Sequence, residues 1–301
     1  MSFNESKSIL VTGSPRSGTT WVGRVLGAAT GTRYSREPFH FMTPHPGTHF
    51  RARSWFEYLP PTENVRIAQL EPLFKGRSRP FARLNRDARP LARIRWRYQE
   101  FLRGFGRPLN IVKDPLAVNS AETLAKAFDS RVVFMVRKPE KIVKSYLTQG
   151  WDFDLAGFVA TMRPLAIFDE STLDSIEDYR SMDTVHRVSH MWRLLSIRAR
   201  GMRERQPEWF FCRHEDFVEE PNAEFMRLCE GVGVEFRGGV KQFLVATNQK
   251  PKRESSAVNP LLVNRSINAL RQDGACLPPE SQRIVSEICG EERRHWYPES
   301  E

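Results

Sequence analysis

The stretch 8-SILVTGSPRSGTTWVGRVL-26 decides the fold. Its opening apolar run, Ile9 to Val11, is brief and bounded by polar residues, which predicts a buried strand over 8–12. Gly13 and Gly18 bracket a turn, and Trp21, Val22, Val25 and Leu26 then recur at helical spacing, predicting a helix over 19–29. A strand that passes through a glycine-rich turn into a helix start curls its main-chain N–H groups inward. The helix dipole adds positive potential at the same point, so the loop is an anion cradle sized for a phosphate. A Walker A loop would carry lysine after its second glycine. Here Gly18 is followed by Thr19 and Thr20, leaving no lysine to reach the β- and γ-phosphates of a nucleotide, which argues against a nucleoside triphosphatase.

Outward from this loop, short apolar runs alternate with helix-period stretches. Strands are predicted over 109–113, 131–136 and 209–213, and helices over 121–128, 139–148, 183–205, 222–231 and 280–289. Alternation of this kind predicts an α/β protein: a three-layer P-loop nucleotide-binding fold with a central, mainly parallel sheet flanked by helices. The chain has no internal repeat, low-complexity tract or evident linker, so one domain over 1–301 is expected, with insertions at about 44–106 and 150–180.

With 301 residues, 40% of them hydrophobic, the chain can bury a substantial core. Its 46 Lys and Arg against 36 Asp and Glu give a net charge of +10, a field that gathers anions. Ten arginines fall between 77 and 107, where Asp87 and Glu100 are the only acids. Leu91, Ile94, Tyr98, Phe101 and Phe105 repeat there at helical spacing, predicting a basic amphipathic helix near 90–105. That helix offers a solvated face, a contact with anionic acceptors, or a contact with an acidic membrane surface. Cys212, Cys229, Cys276 and Cys289 are dispersed without a CxxC pair, so neither a zinc site nor a disulfide framework is indicated. Ile9 to Val11 is too brief for a membrane span. A cytoplasmic protein is expected, in peripheral contact with the inner face of the membrane if the basic helix meets lipid. The i,i+4 histidine pairs His45/His49 and His186/His190 lack an HExxH pattern, and no metal is expected at either.

A second anion pocket is expected where the strand over 131–136 ends in Arg137 and Lys138, ahead of Pro139 and a helix carrying Ser145. At this point the sequence resembles the sulfotransferases that use 3'-phosphoadenosine 5'-phosphosulfate (PAPS). Pro15-Arg16-Ser17-Gly18-Thr19-Thr20-Trp21 is similar throughout to that family's Pro-(Lys/Arg)-Ser-Gly-Thr-Thr-Trp loop, in the arginine variant that bacterial and carbohydrate-directed members resemble. The resemblance implies that Pro15 opens the loop, that Arg16, Ser17, Gly18, Thr19 and Thr20 hold the 5'-phosphosulfate, and that Trp21 packs against adenine. It implies that Arg137 and Ser145 take the 3'-phosphate. The segment 211-FCRHEDF-217 resembles the family's strand ending in Tyr-Glu-Asp-Leu, with His214 in the tyrosine's place near adenine. Arg253, beside Lys250 and Lys252, would belong to a late loop closing over the 3'-phosphate.

The implied reaction moves a sulfuryl group from PAPS to a hydroxyl or amine. It needs an in-line nucleophile, stabilisation of the leaving oxygen, and a base for the acceptor proton. Arg16 and Lys113, the latter ending the strand over 109–113, are the candidates for the leaving phosphate. Cytosolic small-molecule members resemble Lys-x-His here, whereas this chain reads Lys113-Asp114-Pro115. Glu37, in Arg36-Glu37-Pro38-Phe39, resembles the Glu-Pro motif of carbohydrate-directed and bacterial members and is the implied base; His40 is the next candidate. Partial burial behind Pro38 and Phe39 is expected to raise the Glu37 pKa above its ordinary value of about 4.3. The acceptor implied is a carbohydrate or glycolipid. A sulfuryl group carries less charge than a phosphoryl dianion, so no metal is expected to assist. Two other readings are a P-loop small-molecule kinase, which lacks its Walker lysine, and a non-enzymatic protein binding nucleic acid or anionic surfaces. The latter leaves the ordered phosphate loop unexplained, so no nucleic-acid partner is expected.

Overall fold

The computed structural model describes residues 8–76, 108–168, 170–174, 176, 179–248 and 277–298. Arg253, its neighbours Lys250 and Lys252, Cys276 and the basic stretch near 90–105 lie outside these residues.

Five parallel strands form one sheet: β1 (Ser8–Gly13), β2 (Thr32–Arg36), β3 (Leu109–Lys113), β4 (Ser130–Val136) and β5 (Phe210–Arg213), in the order β2-β3-β1-β4-β5. Side chains alternate across the sheet with a period of two, so each strand serves two cores. Ile9, Val11, Ile111, Val133 and Met135 face one layer, which contains Val22, Val25 and Leu26 of α1 (Thr19–Leu26). Leu10, Val112, Val132 and Phe134 face the other, with Leu124 of a helix over Ala121–Phe128 and Trp192 of a long helix over Thr184–Arg205. Apolar residues on both faces account for the unbroken apolar runs of β1 and β4, and Ile9, Leu10 and Val11 are fully buried.

β2 was not foreseen. Its sequence, Thr-Arg-Tyr-Ser-Arg, is polar because it lies at the sheet's edge with β3 as its one neighbour. The first helix stops at Leu26, shorter than expected, and the C-terminal helix runs over Pro279–Trp296, seven residues past its expected end. The remaining described helices include Asn64–Ala68, Glu71–Phe74, Pro139–Gln149, Leu155–Met162, His214–Glu219 and Pro221–Val232.

β1 lies between β3 and β4, so the chain winds outward from it in both directions. In an open parallel sheet the ligand crevice lies beyond the carboxyl ends of the strands at such a reversal. The loop after Gly13 emerges there.

Candidate active site

The loop is shaped by what its glycines permit. Gly13 has φ 134°, and a Cβ on it would lie 2.1 Å from the carbonyl oxygen of Met135 in β4. Gly18 has φ 93° and occupies the N-cap of α1, where no side chain caps the helix. The main-chain donors that open α1 therefore stay available to an anion instead of being consumed by a capping oxygen. Ser17 is fully buried, and its amide and hydroxyl both donate to the Ser14 carbonyl, at 3.1 and 2.6 Å. Its side chain braces the loop from beneath. A Cβ on Gly18 would sit 2.4 Å from His214 Cδ2, and His214 is itself buried. Gly18→Ala combines that clash with backbone strain of about 1–3 kcal/mol. We expect a phosphate or sulfate ester to bind it roughly ten- to hundredfold more weakly by titration calorimetry.

Arg16, Arg137 and Ser145 meet at one place. Arg16 Nε donates to Ser145 Oγ at 2.9 Å, and Arg137 Nη1 donates to the Arg16 carbonyl at 2.9 Å. The sequence placed these residues in two separate pockets; the fold joins the pockets into one cationic corner. The Arg16 guanidinium also lies over the Trp151 ring, 5.2 Å from its centroid. Trp21 packs edge-on against Phe225, His214 and Phe217, at 5.1, 6.1 and 6.4 Å, and its buried Nε1 has no hydrogen-bond partner. Burial, reinforced by Arg137, holds the His214 pKa well below the usual histidine range, so its ring is neutral.

Main-chain anchors fix the Arg137 corner. Trp192 Nε1 donates to the Arg137 carbonyl at 2.8 Å, and the Lys138 amide donates to Glu215 Oε1 at 3.0 Å. The other oxygen of Glu215 accepts from the Tyr297 hydroxyl at 2.8 Å. Arg293 pairs with Glu140 at 2.9 Å, so the C-terminal helix is tied to the helix that carries Ser145. Neither Trp192 nor Tyr297 has any local sequence signal that would have marked it. Tyr297→Phe removes one hydrogen bond, worth about 0.5–1.5 kcal/mol. We expect a few-fold loss of affinity for a phosphate ester at this corner, with the thermal midpoint little changed.

The third group forms where β2 meets β3. Arg36 and Lys113 are partners in register, and the Glu37 amide donates to the Lys113 carbonyl at 2.7 Å. The Glu37 carboxylate then takes Lys113 Nζ on one oxygen and Arg36 Nε, at 3.0 Å, on the other. Glu37 achieves this with φ 50°, and Arg16 likewise has φ 67°; both are non-glycine residues in the left-handed region. The expected rise in the Glu37 pKa is overturned. Burial does push it up, but Lys113 and Arg36 together outweigh burial and hold it below the ordinary carboxylate value. Burial in turn pulls the Lys113 ammonium below the usual lysine range even with Glu37 beside it, since the side chain is 1% exposed.

Asp114 braces the pair. Fully buried, it accepts from the Phe39 amide at 2.6 Å and the Leu116 amide at 2.9 Å, tying the turn after Glu37 to the turn after Lys113. Burial raises its pKa to about 7 against the pull of those two donors. His40 Nδ1 accepts from the Thr43 amide at 3.1 Å.

One cleft of about 1070 Å³ gathers these groups. Among the site residues expected from the sequence and described, all but Ser17 line it. A parallel sheet whose central strand feeds an uncapped, glycine-led helix start, with arginine and lysine at its carboxyl edge, defines an α/β protein built to hold phosphate or sulfate esters. Residues 8–238 match the sulfotransferase family, and the chain belongs to that family and is a sulfotransferase. It is similar to the sulfotransferase domain of the curacin biosynthetic pathway, with 16% identity over 93% of this chain and 96% of that one, TM-score 0.47. Sulfotransferase STF9 from Mycobacterium avium aligns at 15% identity over 96% of this chain and 76% of its own, TM-score 0.47. A sulfotransferase from Alicyclobacillus acidocaldarius aligns at 11% over 96% and 94%, TM-score 0.46. No curated protein matches the chain. Among the described residues, no helix is long and apolar enough to cross a membrane.

Proposed function

We propose that this sulfotransferase uses PAPS as donor and transfers its sulfuryl group to a hydroxyl or amine, of carbohydrate or glycolipid type, with Glu37 as base. The observation that carries the reading is the convergence on one cleft of the uncapped loop, the Arg16–Ser145–Arg137 corner and the Lys113–Glu37 pair. The residues fit the donor: the open helix start suits the 5'-phosphosulfate, and the Trp21 and His214 rings that line the cleft beside it offer aromatic surface to a purine. Arg137 and Ser145 are assigned to the 3'-phosphate.

In this reading the Lys113–Glu37 ion pair is the resting state. When donor fills the cleft, Lys113 and Arg16 turn their charge toward the leaving phosphate oxygen. Glu37, relieved of one cation, becomes a stronger base and takes the acceptor proton as the oxygen or nitrogen attacks sulfur in line. Titration of the protein with adenosine 3',5'-bisphosphate tests the donor assignment, with micromolar binding expected. Failure of that nucleotide to bind, while radiolabelled PAPS transfers nothing to any acceptor class, removes the assignment.

A further inference from the structure

A second wall of the cleft is aromatic and takes no part in holding the donor as assigned above. Trp151, beneath the Arg16 guanidinium, packs edge-on against Tyr146 at 6.0 Å, and Tyr146 against Phe153 at 6.3 Å. Phe153 and Phe158 both contact Phe56, at 5.9 and 4.9 Å. The next residue back, Trp55, holds Phe41 and His40 edge-on, each at 4.8 Å. All of these rings line the cleft. The wall thus runs from Arg16 at one end to His40, three residues from Glu37, at the other, which is the span an acceptor must occupy.

Two further observations say what such a wall recognises. Seven large apolar side chains are exposed among the described residues, and four of them, Phe41, Met42, Leu147 and Trp151, belong to the two segments that form its rim. Phe41 and Trp151, which also line the cleft, carry the apolar wall out to solvent at its two ends. Three charged side chains on the same segments already have partners. Asp152 pairs with Arg187, Asp154 accepts from the Gly157 amide at 3.0 Å, and Arg53 pairs with Glu63 at 3.4 Å. A polar, many-hydroxyl acceptor would need such groups free to match its own hydrogen bonds.

We infer that the acceptor is amphiphilic: its reacting hydroxyl stands at the polar end of an apolar body that lies along the Trp151–Phe56–Trp55 wall and leaves past Phe41 and Met42. This narrows the acceptor class and rests on the sulfotransferase reading above. A free soluble sugar is not the preferred acceptor.

The test is a calorimetric titration of 1-butanol, 1-hexanol, 1-octanol and methyl β-galactoside into the protein loaded with adenosine 3',5'-bisphosphate. Binding is expected to strengthen by about fourfold for each added methylene. In Trp55→Ala the chain-length dependence should flatten, while nucleotide affinity, measured separately, stays unchanged. Affinity that ignores chain length, tighter binding of methyl β-galactoside than of 1-octanol, or a series untouched by Trp55→Ala overturns the inference. If the nucleotide does not bind the wild type, the donor assignment falls alone. The alcohol series is then run on the nucleotide-free protein with the same expectation.

Discussion

Glu37→Gln is expected to lower kcat by about two to four orders of magnitude, the usual worth of a positioned general base, while adenosine 3',5'-bisphosphate still binds with near-normal affinity. The amide is isosteric, so the turn that places residue 37 against the Lys113 carbonyl is retained. What disappears is the acceptor of the acceptor's proton and the countercharge of Lys113, whose side chain is 1% exposed. Single-turnover transfer of radiolabelled sulfuryl measures the first effect and calorimetry the second. Full turnover in this variant would remove Glu37 from the mechanism, whereas lost nucleotide binding would make it a structural residue of the donor pocket.

Lys113→Met should lower kcat by about two to three orders of magnitude, as loss of one charge-stabilising group does, and it should also move the pH profile. Lys113 is the foremost cation holding the Glu37 pKa down. Without it that pKa rises. A base works only when deprotonated, so activity is lost as pH falls through its pKa, and the acid limb of the kcat/KM profile, which reports the free enzyme where the pair is intact, should shift to higher pH in Lys113→Met. An unshifted limb would separate the two residues functionally. Because they act as a unit, the double variant Glu37→Gln/Lys113→Met should lose far less than the product of the single losses.

How much of this was legible in sequence depended on where information is local. β1, the glycine loop and α1 are contiguous, and their glycines and apolar spacing sufficed to predict strand, turn and helix start. Glu37 and Lys113 were each singled out, but as independent groups. Their pairing spans 76 residues and passes through the Arg36–Lys113 register of an edge strand too polar to read as a strand. That omission also produced the wrong sign for the Glu37 pKa, since burial behind Pro38 and Phe39 was visible and the lysine beside it was not. The aromatic wall was hidden for a related reason. Its rings come from 40–56 and 146–158, stretches without periodicity that only the folded sheet brings together. Trp192 and Tyr297 act through main-chain or carboxylate contacts with the Arg137 corner, a role no residue type announces.

Arg16 and Glu37 share one unusual property: each keeps a working side chain on a backbone with φ near 60°, where glycine is the comfortable occupant. A non-glycine residue held there costs on the order of 1 kcal/mol. Glycine at either position would ease that local cost while deleting a guanidinium or a carboxylate from the centre of the cleft. Directed evolution for heat resistance alone is thus free to erode these two codons, so any such campaign needs a turnover screen alongside it.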